Sequence, residues 1–335
     1  MEINHKSVKL TASELSYLWS SYLADSMSIC VIRYFLEHVD DENIQKLLEH
    51  ALDLSQQHTE TIRGIFTDEG IQIPQGFTAQ DVNLKAKRLF SDLFYLQYIH
   101  NMGKGGLVTY GRVLQNVFRP DISSLFSKCL TSTIELKNEA TQLMLEKGIA
   151  IRPPTIPYPE KVEFIKKQSF LLEGLGRRAA LTGIEITNLY ANTVTNQLGA
   201  CMATAFSQVA KADKVRKYIL RGKEIAVKHI KVFRSYLEMG SHPVPMSFEQ
   251  EVTDSTESPF SDKLIMFHFG LMTYAGVGNY GVAISESQKS DLIADYSRLI
   301  GEILKLSEDG VNLMIANGWL EQPPLAPDRR DLTKE

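Results

Sequence analysis

The sequence predicts an all-α protein built as a tandem duplication of an up-down-up-down four-helix bundle, and three observations carry that prediction. Apolar residues recur at intervals of three and four through long stretches of the chain. No stretch keeps the strict alternation of a half-buried strand. The chain also lies over itself: LTASELSYLW from Leu10 matches LTGIEITNLY from Leu181 at a shift of 171. Under that shift Glu14 meets Glu185, Cys30 meets Cys201, His58 meets His229 and Arg63 meets Arg234. A shift of 170 then carries Tyr110 onto Tyr280, Asp121 onto Asp291 and Gly148 onto Gly318. A period this long is a repeated domain, because solenoid units are several times shorter.

In the first copy the helical stretches run near 11–38, 41–69, 84–116 and 120–148. Asp40 and Asp41 break the chain after the first stretch, and Gly70 and Gly240 close the second in the two copies. Pro120 opens the fourth, which Gly148 and Gly318 end. Short joins force helices 1 and 2, and helices 3 and 4, to run antiparallel. The organisation read from these breaks is a first bundle over 1–150, a Pro-containing linker arm over 151–175, a second bundle over 176–320 and an extended tail over 321–335.

With 44% hydrophobic and 23% charged residues, the 335-residue chain has the balance of a soluble globular protein. A formal net charge of -4 without a block of Lys and Arg argues against a nucleic-acid surface. Three cysteines, none in a CxxC, indicate neither a disulfide framework nor a thiolate zinc site. The N-terminal MEINHKSVKL lacks the apolar core of a secretory signal, so a cytoplasmic product is expected. Leu264 to Ser285 carries no Asp, Glu, Lys or Arg, yet its twin holds Lys104 and Arg112. A fully buried helix fits both copies better than a membrane span.

Several residues can carry chemistry. Counting about 1.5 Å of rise per residue from the tight turns puts Glu14 level with Arg63, and Glu185 level with Arg234. An ion pair is expected in each copy, as a structural clamp. His58 interrupts the apolar stripe Leu47, Ala51, Leu54, Ile62, Ile65, and His229 does the same in the second copy. At the depth of His229 stand His268 on helix 3 and Glu308 on helix 4, so His229, His268 and Glu308 are the candidate ligands of a single transition-metal ion. In the first copy Tyr98 and Asn138 replace His268 and Glu308, which leaves His58 with neutral company and a structural role.

A di-iron carboxylate site needs Glu-x-x-His on two helices, whereas Ser55 and Ala226 stand three residues before the two histidines. Gly276 to Gly281, GVGNYG, matches the dinucleotide fingerprint but falls inside a helical stretch, where no pyrophosphate cradle forms. Close packing on a neighbour or a local kink accounts for Gly106, Gly111, Gly276 and Gly281. No histidine falls near a cysteine in the depth count, so Cys30, Cys129 and Cys201 are read as small buried hydrophobes. The balance favours a protein without enzymatic activity and without a cofactor other than that metal ion, acting through protein partners or self-association.

The phrases LSQQH (54–58), IPQGFTAQDVN (73–83), FSDLFYL (90–96), KKQSFL (166–171), FSQVAK (206–211), EVTDST (251–256), SPFSDK (258–263), GVGNYG (276–281) and GWLEQPPLAPDR (318–329) carry a resemblance. They are similar to a two-copy family of spore-forming bacteria, domain of unknown function 3231, itself distantly similar to spore coat protein F in the ferritin-like group. The resemblance covers nearly the whole chain. It implies a ferritin-like bundle and a sporulation or coat-associated role, and it brings no activity with it.

Overall fold

Helix starts in this chain are set by side chains that accept the orphan N–H groups of a first turn. The structure, a computed structural model, describes residues 8–150, 152–166 and 180–329. Thr11 caps α1 (Ala12–Leu36) in a capping box with Glu14, and Thr182 with Glu185 repeats the same box at α5 (Gly183–Val209). Asp41 caps α2 (Glu42–Asp68) through the N–H groups of Asn43 and Ile44. Then come α3 (Asp92–Leu114) and α4 (Pro120–Glu146), whose first residue is the proline expected there. The second copy continues with α6 (Asp213–Met239), α7 (Asp262–Glu286), capped by Ser261, and α8 (Ser290–Ala316). The fold is all-helical, two four-helix bundles in tandem. Among the described residues the β-structure is an isolated antiparallel bridge between Phe90 and Val252.

Helix ends follow the glycines with one exception. Gly70, Gly148 and Gly318 take φ of 64°, 67° and 67°, the left-handed conformation that costs a glycine nothing. Gly240 also closes its helix, but the left-handed residue is the next one, Ser241, with φ 56°. The third stretch starts later than its periodicity suggests, at Asp92 rather than near 84. The N–H of Ser91 donates to the Glu251 carbonyl at 3.0 Å and that of Thr253 to the Leu89 carbonyl at 3.0 Å. Pairing with a loop far away in sequence therefore takes backbone groups that a helix would have used.

The described residues form two compact units. One comprises 8–84, 99–143 and 318–329; the other comprises 85–98, 144–150, 152–166 and 180–317. Of the expected linker arm, 151 and 167–175 lie outside the described residues, as do 330–335 of the tail. In the first unit Leu18, Ile62, Phe66, Val113, Ile122, Phe126 and Cys129 share a core. In the second, Leu189, Phe233, Leu237, Ala283, Leu292, Tyr296 and Leu299 do so. These are twin positions under the two shifts, so duplication of the sequence is duplication of the core. In the second unit α5 packs on α6 and α7 while α8 packs on the same two, closing the ring of a four-helix bundle.

α7 is not buried on every side, as its uncharged sequence led us to expect. Leu264, Ile265, Met266, His268, Phe269, Tyr280 and Ala283 face the core, but Tyr274 is 76% exposed and Val282 is exposed with it. No helix among the described residues is long and apolar enough to cross a membrane. GVGNYG lies wholly within α7. Close packing explains only part of the glycine set: a Cβ at Gly106 would meet the Thr133 methyl at 2.8 Å, whereas Gly111 and Gly281 have nothing within 4 Å.

Candidate functional site

Glu14 and Glu185 are buried, 1% and 0% exposed, and each ties two helices together. One oxygen of Glu14 accepts the N–H and hydroxyl of Thr11 at 2.8 and 2.9 Å; the other accepts the N–H groups of Phe118 and Arg119 at 2.9 and 2.7 Å. A single carboxylate thus serves the N-termini of both α1 and α4, where the helix dipoles favour negative charge. Burial opposes the ionised form of Glu14, but the bonds from Thr11, Arg119 and Phe118 outweigh it and hold its pKa below the usual value. Glu185 repeats the device on Thr182, Gln288 and Lys289, at the starts of α5 and α8.

The expected ion pairs with Arg63 and Arg234 do not form. Arg63 donates to the Tyr22 hydroxyl at 3.3 Å and Arg234 reaches Glu238 at 3.4 Å. Arg63 meets α1 about two turns beyond Glu14, whose own level is shared with Arg119 and Glu69. The buried cation at that end of the first bundle is Arg119, held by Glu69 at 2.6 Å and Asp121 at 2.8 Å.

His58 has a carboxylate partner, contrary to the neutral surroundings its twin comparison suggested. Its Nδ1 lies 3.4 Å from Asp25 of α1. The Cys129 sulfur of α4 is also hydrogen-bonded to the ring, and Tyr110 of α3 packs edge-on at 6.1 Å. Burial works against a charged imidazole here, yet the bonds to Asp25 and Cys129 win and push its pKa up to about 10. The first unit therefore encloses an aspartate, an imidazolium and a thiol. A cysteine now stands beside a histidine, which the depth count missed. Asp25, His58 and Cys129 are residue types that in an open cleft can make a nucleophile. Here Cys129 is only 3% exposed, inside the core cluster.

His229 is fully buried and makes different bonds. Its Nδ1 pairs with the Tyr280 hydroxyl at 3.0 Å and its Nε2 with Glu302 of α8 at 3.3 Å. Tyr280 accepts a further bond from Asn196 at 2.8 Å. Desolvation lowers the His229 pKa in spite of Glu302, so the ring is neutral near pH 7. Burial acts to raise Glu302, but bonds from Lys228, at 2.6 Å, and His229 keep it low.

The three residues read as a metal set have separate partners. His229 has Glu302 and Tyr280. The Nε2 of His268 pairs with the Tyr98 hydroxyl at 3.2 Å between the rings of Tyr98 and Phe206, while its buried Nδ1 has no partner. Burial lowers His268 to about 3. Glu308 is exposed on α8. Among the described residues no group of three or more His, Cys, Asp or Glu side chains is placed to hold a metal ion.

A signal for the true partners was present in the alignment of the copies. Asp25 of the first falls on Asn196 of the second, and Ser132 of the first falls on Glu302. The carboxylate lost from one helix reappears on another, beside the same imidazole.

The two-copy architecture is matched by a family model described as "Protein of unknown function (DUF3231)", which aligns with residues 1–162 and again with 169–332. The chain belongs to this family. Each DUF3231 copy contributes one capping glutamate and one of the twin histidines described above. An uncharacterized protein of Bacillus subtilis, YvdQ, is 26% identical over 147 residues, 42% of this chain and 85% of that protein. The crystal structure of a candidate spore coat protein from Bacillus halodurans aligns over 46% of this chain and 100% of that one, at 21% identity and a TM-score of 0.42.

Proposed function

We propose that this DUF3231 protein is a non-enzymatic structural or interaction protein. One observation carries the reading: the buried glutamate and the twin histidine of each bundle are spent on holding helices together. Glu14 and Glu185 fasten paired N-termini, and His58 and His229 are bonded to side chains of neighbouring helices. A catalytic group needs access to its substrate and a partner that leaves it free to exchange protons. Cys129, the natural nucleophile of the first unit, is sealed beneath the core. Exposed aromatic and apolar side chains, among them Phe118, Tyr158, Phe164 and Tyr274, give the outside of the protein the means to touch other proteins. A sporulation or coat-associated setting is implied by the resemblance of the sequence phrases to a family of spore-forming bacteria.

Thiol accessibility tests the proposal. Burial raises Cys30 to about 11 and Cys201 to about 12, and Cys129 is equally enclosed. Under native conditions at pH 7.5, all three are expected to react with an aromatic disulfide reagent only as fast as the chain opens. A thiol that reacts rapidly in the folded protein, and is lost in Cys129→Ser, would overturn the non-enzymatic reading.

A further inference from the structure

Several basic side chains of this molecule, buried and exposed, are met by an acid. Arg119 has Glu69 and Asp121, Lys228 has Glu302, His50 has Glu139 and Arg221 has Asp309. The seam between α3 and α4 in the first unit breaks the pattern. His100 and Lys104 stand one turn apart on α3, so they share a face. Lys137 of α4 meets that face closely: a Cβ built on Gly103 would lie 2.9 Å from the Lys137 Cβ. The missing side chain at Gly103 is what lets Lys137 approach α3 so closely beside His100 and Lys104. Just beyond, Gly106 brings Thr133 near, with its hydroxyl 3.3 Å from the corresponding Cβ position.

No carboxylate among the described residues pairs with His100, Lys104 or Lys137. Desolvation first, then the charges of Lys104 and Lys137, push His100 down to about 4; desolvation and Lys137 likewise lower Lys104. No acid contributes to either balance. Two lysines are held beside a neutral imidazole, partly out of water, without a counter-charge, an arrangement that is costly unless an anion supplies one. The second copy shows that the scaffold does not require it. At the twin positions stand Gly270, Tyr274 and Ser307, and the Ser307 hydroxyl bonds the Thr273 hydroxyl at 3.3 Å.

We propose that the first unit binds a small oxyanion of the phosphate or sulfate class in the seam between α3 and α4, held by Lys104, Lys137 and His100. Three donors on two helices suit a compact, multiply charged oxyanion, which accepts several charge-assisted bonds at once. The setting within a helix–helix seam favours a free ion over a headgroup in a lipid surface.

The full-length protein is titrated with sodium sulfate and with inorganic phosphate, against sodium chloride at matched ionic strength, and followed by calorimetry and thermal unfolding. Sulfate and phosphate are expected to bind saturably and raise Tm beyond the chloride control. Lys104→Gln and Lys137→Gln are each expected to weaken sulfate about tenfold or more, the loss of one charge-assisted hydrogen bond. The same variants are expected to raise Tm in anion-free buffer, because they relieve like-charge repulsion. A merely structural lysine would move Tm the other way. Tyr274→Ala, on the neutral seam of the second unit, is expected to leave sulfate binding unchanged. A sulfate response equal to that of chloride, or one undiminished in both lysine variants, overturns the proposal. So does Lys104-dependent sedimentation with phosphatidic acid vesicles in the absence of any response to the free ions, which would assign the site to a headgroup.

Discussion

The two bundles solve the same problem with a charged ring in one and a neutral ring in the other. Each buries an imidazole at the middle of its second helix, at positions matched by the duplication, beside a tyrosine that is also matched, Tyr110 or Tyr280. In the first bundle the acid comes from α1, as Asp25, and the ring is a cation. In the second the acid comes from α8, as Glu302; it is shared with Lys228 and Arg298, and the ring is neutral. What is kept between the copies is therefore the volume and the hydrogen-bonding reach of a histidine. The charge on it follows from whether its carboxylate is already neutralised by another cation.

The sharpest way to break that contrast is to remove each histidine's support from helix 1. Asp25→Ala strips the imidazolium of its counter-charge and is expected to cost about 2–3 kcal/mol in urea unfolding. That is less than the roughly 3–5 kcal/mol of a fully buried pair, because the ring can release its proton. The twin change Asn196→Ala removes one neutral bond to Tyr280 and is expected to cost about 1 kcal/mol. Equal losses would show that the two centres carry the same charge.

Next in size is the response to pH, where the two histidines have opposite signs. His58 is raised in the folded state, so its contribution is complete below about 6.5 and is lost as pH climbs towards 10. His229 is lowered, so its contribution is complete above about 6.5 and is lost as pH falls through its folded value. Each histidine contributes a slope of up to about 1.4 kcal/mol per pH unit within its own window. Unfolding curves from pH 5 to 9 are expected to lose their alkaline decline in His58→Gln and part of their acid decline in His229→Gln. His100 and His268, also lowered, keep the rest of the acid side.

The smallest expected effect is that of Glu302→Gln. A neutral ring loses little when its acceptor changes from carboxylate to amide, so a fall in unfolding free energy of about 1 kcal/mol or less is expected. A loss as large as that of Asp25→Ala would mean that His229 carries a charge after all.

Periodicity, breaks and self-alignment were enough to read the duplication, the helices and most of their ends, because each depends on neighbours along the chain. Thr11 with Glu14, Pro120 and Gly148 announce their roles within a few residues. Partnerships were read less well. The count from the turns pairs Glu14 with Arg63, whereas Glu14 accepts the N–H groups of Phe118 and Arg119 and Arg63 reaches Tyr22 about two turns further along α1, since residue counts from a turn do not carry the reach of long side chains. Glu302 and Glu308 lie on one helix, and only the first points inward to His229. The start of α3 was drawn too early because Phe90 and Ser91 answer to Val252 and Glu251, some 160 residues away. The exposed outer face of α7 was hidden by a sequence that is apolar on all sides, for composition alone does not say which side a neighbour covers.

Glu321 returns to the first unit, where its carboxylate accepts the N–H groups of Gln75 and Gly76 at 2.9 and 2.7 Å across a separation of some 245 residues. At ordinary rates of translation, Gly76 leaves the ribosome on the order of tens of seconds before Glu321 does. The loop at Gln75 and Gly76 must wait for that clasp while the second copy is being made, and until then its two N–H groups are left to water.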